Sequence, residues 1–174
     1  MKKQALTLCL CYLSLFGFGQ TPSWTPLAAE GEPQERHENA LVLAGGKIIL
    51  LGGRGLKKLD ILDLSEGKWT QGAQPPVEIH HFQAVQLDGL VYVMGALTGS
   101  WPNETPLGHI LIYDPLEDVW AIGPKIPRER QRGAAGVVVH NNRIYMVNGI
   151  INGHSSGWVN WFDEYDPYTD TWKR

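Results

Sequence analysis

The sequence predicts an all-β protein built from three copies of one four-stranded unit. In three places a Trp follows an Asp at an interval of six residues, and the three pairs are Asp63 with Trp69, Asp114 with Trp120, and Asp166 with Trp172. Upstream of each pair, an apolar run follows a turn sequence and ends in small residues, as expected for a strand that is buried on both faces. A repeat of about 50 residues indicates units that bury each other's faces.

This pattern resembles the kelch repeat family, in which an apolar strand ends in Gly-Gly and a Tyr-Asp pair precedes the Trp. The first copy departs from it, with Leu62 in place of the Tyr. The matching positions are Gly52, Gly53, Trp69, Gly95, Tyr113, Asp114, Trp120, Gly149, Tyr165, Asp166 and Trp172. The resemblance covers Arg36 to Trp172. It implies a kelch-type β-propeller with three visible blades, at residues 36–79, 80–131 and 132–174.

Residues 1–19 have the features of a secretory signal peptide. Lys2 and Lys3 precede an apolar run over residues 5–18, and small residues favour cleavage near Gly19 or Gln20. The run is shorter than the ~20 residues that a membrane-spanning helix needs. We therefore expect a secreted or periplasmic protein without a membrane span, and the Met-Lys-Lys start favours a bacterial source.

The mature chain after cleavage has a composition that excludes some functions. Cys9 and Cys11 lie in the signal segment, so no thiol remains for disulfides, catalysis or metal binding. Loss of Lys2 and Lys3 moves the net charge from −3 to −5. An acidic chain is not expected to bind nucleic acid, which requires a basic surface.

The two ends of the predicted propeller are incomplete. Residues 20–35 are rich in Pro, and Trp24 is expected to open a lone outermost strand because the residues after it resemble those after Trp69 and Trp120. Propellers typically have 4–8 blades. We therefore expect further blades beyond Arg174 or, alternatively, self-association of two copies.

Each unit is expected to contain four strands that alternate in direction. The innermost strands are predicted at residues 37–43, 80–87 and 133–139. Gly45-Gly46, Asp88-Gly89 and Asn141-Asn142 suit two-residue hairpin turns, and each repeated Asp is expected to accept hydrogen bonds from turn amides. Alternation then places all the short turns on one face and the longer loops, at residues 53–62, 96–113 and 149–165, on the other. Loops of this length commonly carry function.

The candidate ligand-binding residues lie on this long-loop face. At the mouth of the innermost strands they are Arg36, His37, His80, His81 and Arg132, and in the long loops they are Trp101, His154 and Trp158. A ring of Arg and His suits an anionic ligand, and Trp suits stacking on a sugar or a peptide. In the alternative interpretation, the arginines satisfy loop carbonyl groups.

The sequence favours a binding module over an enzyme. The six histidines lack metal-ligand spacing, so we expect no metal and no cofactor. No catalytic Ser-His-Asp set or phosphate-binding loop is evident. We expect an exported module that binds a glycan or a protein. The alternative is an exported sugar-processing enzyme, because kelch propellers include periplasmic sialic acid mutarotases. They also include copper-radical galactose oxidases, which require a Cys that the mature chain does not have.

Overall fold

Three four-stranded antiparallel sheets, each forming one blade, make up most of the computed structural model, which describes residues 23–174. The first blade consists of β1 (Asn39–Ala44), β2 (Lys47–Gly52), β3 (Asp60–Asp63) and β4 (Lys68–Gln71). The second consists of β5 (Ala84–Leu87), β6 (Leu90–Val93), an inserted hairpin of β7 (Leu97–Thr98) and β8 (Thr105–Pro106), then β9 (His109–Asp114) and β10 (Val119–Lys125). The third, after a 3-10 turn at Arg128–Arg130, consists of β11 (Gly136–His140), β12 (Arg143–Val147), an inserted hairpin of β13 (Ile150–Asn152) and β14 (Ser156–Trp158), then β15 (Phe162–Asp166) and β16 (Thr171–Lys173).

Turn chemistry fixes the register of each blade. The two residues between the first and second strands have positive φ in all three blades, and Asn141 and Asn142 adopt it without being glycine. In the next turn, an Asp carboxylate accepts amide hydrogen bonds, for example from Ser65 to Asp63 at 2.9 Å and from Leu116 to Asp114 at 2.8 Å. These contacts close the outer hairpin of each blade.

Two hydrophobic cores hold neighbouring blades together. One lies between the first and second blades and includes Ile49, Leu51 and Tyr113, and the other lies between the second and third and includes Met146 and Tyr165. Each buried Tyr packs against the repeated Trp of its own blade. The ring centroids are 5.1 Å apart for Tyr113 and Trp120 and 4.7 Å for Tyr165 and Trp172. The repeat motif therefore forms the outer edge of the core in these two blades.

The innermost strands begin two to four residues later than the sequence predicts, at Asn39, Ala84 and Gly136. One to three residues before each start, one residue has a left-handed backbone, with φ of 58° at Glu38, 52° at His81 and 51° at Ala134. The His81 amide donates to the Glu38 carbonyl at 3.0 Å, and the Ala134 amide donates to the His81 carbonyl at 2.9 Å. These bonds join the three blades near the axis and identify Glu38, His81 and Ala134 as equivalent positions.

The N-terminal segment differs from the prediction. No strand forms over residues 23–29, and Trp24 is 98% exposed. A strand needs hydrogen bonds from a neighbouring edge, and in this segment the paired residue is Glu30, which bridges Lys68 on β4 in parallel. The predicted signal peptide lies outside the described residues. Among residues 23–174, no helix has the length and apolar character needed to cross a membrane.

The faces of the end blades that turn away from the second blade expose apolar side chains. Leu41 and Leu43 on β1 are 60% and 59% exposed, and Val138 on β11 and Phe162 on β15 are each 59% exposed. Strand alternation explains this exposure, because the neighbouring residues on the same strands, such as Val42 and Val137, point to the opposite side of the sheet and face the second blade. Self-association and further blades stay predictions.

Candidate functional site

The two inserted hairpins stand over the long-loop end of the innermost strands, which we call the channel mouth. Each is attached to the segment that precedes an innermost strand, through a bridge between His80 and Leu97 and another between Gly133 and Ile150. The paired backbone bonds are 2.9 to 3.0 Å long. Side chains at the loop tips are therefore held against the channel entrance by strand pairing.

A cavity of about 630 Å³ opens between these hairpins on the long-loop face. Its apolar walls include Leu97, Ile150 and Val159, and its polar groups include His81 and His154. The remaining lining residues are Ala134, Asn148, Gly149, Gly153, Trp158 and Asn160. Trp158 is 75% exposed. The structure thus brings three of the predicted ligand-binding residues, His81, His154 and Trp158, into one cavity.

Arg36 and Arg132, which the sequence predicts as ligand contacts, are instead buried structural residues. Their side chains are 2% and 0% exposed. Arg36 pairs with Asp60 and donates to the Gly52 carbonyl at 3.0 Å. Arg132 pairs with Asp163 at 2.6 Å and also donates to carbonyl groups, including Asn148 at 2.6 Å. Because their donors bind protein acceptors, neither guanidinium faces the cavity.

The second blade shows what these arginines do. At the position equivalent to Arg36 and Arg132 it has Ile79, and at the position equivalent to Asp60 and Asp163 it has Leu111. Both are buried, at 1% and 2% exposure. The same site between strands therefore holds an ion pair in the first and third blades and an apolar pair in the second, an exchange that buried ion pairs tolerate when both partners change.

Asp163 lies at the centre of the larger of these two ion clusters. Its carboxylate pairs with Arg130, Arg132 and Arg174, the last at 3.0 Å. Burial acts to raise the pKa of Asp163, but the hydrogen bond from Arg174 and the charge of Arg132 outweigh it and lower that pKa. The carboxylate is therefore ionised and fully compensated.

A chain of three histidines crosses the channel mouth. His80 Nε2 lies 3.0 Å from the Gly99 carbonyl oxygen, and His80 Nδ1 lies 2.8 Å from His81 Nδ1. His81 Nε2 lies 2.9 Å from His154 Nε2, and His154 Nδ1 lies 2.8 Å from Glu104 Oε2. His80 is fully buried, whereas the side chains of His81 and His154 are 22% and 32% exposed. Burial lowers the pKa of His81.

Three residues that the sequence analysis did not single out complete this cluster. Arg54 pairs with the buried Glu104, and its Nε lies 2.5 Å from Glu38 Oε2. The same Glu38 oxygen lies 3.1 Å from His81 Nδ1. Burial acts to raise the pKa of Glu104, but hydrogen bonds from His154 and Arg54 lower it. We call Glu38, Arg54, His80, His81, Glu104 and His154 the histidine cluster.

The histidine cluster contains a set of potential metal ligands that the sequence spacing does not predict. One ligand atom from each of Glu38, His81 and His154 lies within 4.8 Å of the other two. Glu38, His81 and His154 come from two different blades and a hairpin tip, so they do not form a short sequence motif.

Two further residues that the sequence predicts as ligand contacts lie at the margin of the histidine cluster. Trp101 is 62% exposed with its ring 5.4 Å from that of His154, and the His37 side chain is 71% exposed.

Comparison with known proteins identifies the repeat. The Kelch motif model matches residues 131–174, the third blade. The kelch-like protein terF of Aspergillus terreus is 30% identical over 88% of this chain. The chain belongs to the kelch repeat family. It is also 28% identical to kelch repeat and BTB domain-containing protein 8 of Danio rerio over 77% of its length, and 26% identical to kelch-like protein 41a of the same fish over 88%.

The three blades correspond to part of these kelch proteins. The chain spans 38% of the length of the Aspergillus protein, and 21% and 25% of the two fish proteins. The kelch resemblance explains the blade, the Tyr-Trp contact and the turn chemistry. The histidine cluster and the inserted hairpins are described from this chain's own residues.

Proposed function

We propose that this kelch protein is a binding module that holds an extended segment of a partner protein on its long-loop face. The observation that carries the proposal is the cavity of about 630 Å³ between the two inserted hairpins, beside the exposed Trp158. Ligand cavities of about 300–1,000 Å³ are typical of specific sites. The opposite face carries short turns, such as residues 45–46 and 88–89.

The lining of the cavity favours a polypeptide. Leu97, Ile150 and Val159 provide apolar walls, while Asn148 and Asn160 offer amides that can pair with a peptide backbone. Trp158 supplies a large amphipathic surface of the kind that dominates binding energy at protein interfaces. The signal peptide predicted at residues 1–19 supports a partner outside the cytoplasm.

Peptide phage display against the full chain tests this proposal. We expect enriched peptides to bind the wild-type protein and to lose about 1–3 kcal/mol of binding free energy on Trp158→Ala. The matched control is Leu116→Ala, an apolar residue that is 87% exposed in a short turn of the opposite face. A glycan array is probed in parallel. Peptides that bind both variants as well as wild type, or a ligand found only among the glycans, would contradict the proposal.

A further inference from the structure

The histidine chain has a hydrogen-bond acceptor at each end. The Gly99 carbonyl requires a proton on His80 Nε2, and the Glu104 carboxylate requires one on His154 Nδ1. A neutral imidazole carries one N–H. His80 Nδ1 and His154 Nε2 are therefore bare nitrogens.

The proton of His81 is fixed by the same reasoning. Its Nδ1 faces the bare His80 Nδ1 at 2.8 Å and the Glu38 carboxylate at 3.1 Å, and both of these are acceptors. His81 therefore carries its proton on Nδ1. His81 Nε2 is then bare, and it lies 2.9 Å from the bare His154 Nε2. The four contacts of the chain need four protons, and three neutral imidazoles supply three.

Two lone pairs face each other at the centre of the chain, on the side that opens into the cavity. Such a contact is stable only when a fourth proton or a metal ion lies between the two nitrogens. One carboxylate oxygen of Glu38 lies within 4.8 Å of a ring nitrogen of each of these two histidines. We propose that His81 Nε2, His154 Nε2 and the Glu38 carboxylate bind one divalent transition-metal ion of the Zn²⁺ class.

The charges of the histidine cluster favour such an ion. Glu38 and Glu104 are balanced by a single guanidinium, Arg54, which leaves one negative charge at the channel mouth when the histidines are neutral. Two imidazoles and a carboxylate are the ligands of many zinc sites that keep a position open for water or substrate. Tetrahedral ligands at about 2.1 Å from one ion lie about 3.4 Å apart, so atoms within 4.8 Å of one another need side-chain adjustments of about 1.4 Å at most to close the set.

Each proposed ligand is oriented by an outer partner. His154 Nδ1 donates to the buried Glu104, His81 Nδ1 faces His80, and Glu38 lies beside Arg54. Metal-binding histidines almost always donate their second N–H to a carboxylate or a similar acceptor. The fourth coordination position would face the cavity, because His81 and His154 both line it. Metal binding does not depend on the peptide-binding proposal.

Equilibrium dialysis of the full chain against Zn²⁺, with the bound metal measured by mass spectrometry, tests the proposal. We expect one equivalent of Zn²⁺. Co²⁺ should give the visible absorption of a tetrahedral ion with nitrogen and oxygen ligands, a signature that a nonspecific surface site does not produce. The matched control is His140→Ala, which removes an exposed histidine at the end of β11, outside the histidine cluster, and should leave the metal content unchanged.

Three variants separate ligands from outer partners. His154→Ala and Glu38→Gln should each weaken Zn²⁺ binding by more than the roughly 10–100-fold that loss of an outer partner causes, whereas Glu104→Gln should fall within that range. Circular dichroism confirms that each variant is folded, and Glu38→Gln serves if His154→Ala is not. Binding of less than one equivalent by wild type, or equal Zn²⁺ affinity in His140→Ala, His154→Ala and Glu38→Gln, would overturn the proposal.

Discussion

The Arg132–Asp163 cluster and the histidine cluster both lie at the long-loop end of the blades, yet they differ in how far their polar groups are satisfied. Arg132 and Asp163 are fully buried, and the arginine's donors are paired with protein acceptors. His81 and His154 are partly exposed and line the cavity, and with three neutral imidazoles their chain is one proton short of its four contacts. A satisfied buried cluster is a structural element, whereas an unsatisfied one at a cavity is available to a ligand.

Breaking a buried ion pair tests the structural half of this comparison and should have the largest effect. Arg36→Ala leaves the Asp60 carboxylate buried without its cation, which typically costs about 3–5 kcal/mol. We expect a loss of this size in the free energy of unfolding, measured by urea denaturation of the full chain.

The apolar pair of the second blade provides the control. Arg36→Ile combined with Asp60→Leu copies Ile79 and Leu111, so the double variant should recover most of the stability that Arg36→Ala loses. A double variant as unstable as the single one would show that the two arrangements are not interchangeable.

A Trp that is packed in the core and a Trp in an exposed loop should also differ in how much each contributes to stability. Trp120 packs against Tyr113 and donates to the Ala73 carbonyl at 3.4 Å, so Trp120→Ala should cost about 3 kcal/mol or more. Trp101 is 62% exposed in a long loop, and Trp101→Ala should cost less than about 1 kcal/mol. Equal shifts of the two melting temperatures would contradict the assignment of Trp120 to the core.

The sequence predicts the fold well because its signals are local. Apolar runs, hairpin turns such as Asn141-Asn142 and the Asp-Trp interval each act within a few residues. From these signals the alternation of strands places the loops on two faces. This division into two faces predicts that His81, His154 and Trp158 lie on the same face, and all three line the cavity.

The sequence could not predict the roles of individual polar residues, because their partners are distant. Arg36 and Asp60 are 24 residues apart, and Glu104 and His154 are 50 apart. The repeats carry one signal that indicates this pairing. Arg36 and Asp60 in the first unit and Arg132 and Asp163 in the third are both replaced by apolar residues, Ile79 and Leu111, in the second. The left-handed backbone at Glu38 and His81 had no such signal, since neither is a glycine.

The pH dependence of stability should reflect Asp163. Because the folded state lowers the pKa of this carboxyl below its ordinary value of 3.8, its contribution is fully present above that value and is lost as the pH falls through the folded pKa. We expect the difference in unfolding free energy between wild type and Asp163→Asn to be constant from pH 5 to 7, a range roughly one unit or more above the ordinary value, and to shrink below about pH 4. A difference that grows on acidification would contradict this sign.

The smallest stability effect is expected in the histidine cluster. His154 is partly exposed on a hairpin tip, and Glu104 keeps its ion pair with Arg54 when His154 is removed. His154→Ala should therefore change the free energy of unfolding by about 1 kcal/mol or less in the absence of metal. A loss comparable to that of Arg36→Ala, measured in the same urea series, would place His154 among the structural residues.

The most direct test of the comparison is ¹⁵N NMR of the imidazole nitrogens in the full chain, recorded with and without Zn²⁺. The account predicts protons on His80 Nε2, His81 Nδ1 and His154 Nδ1, and a metal-induced shift that is largest at the Nε2 signals of His81 and His154. Spectra that show a proton on either of those two Nε2 atoms and no change on addition of Zn²⁺ would contradict it.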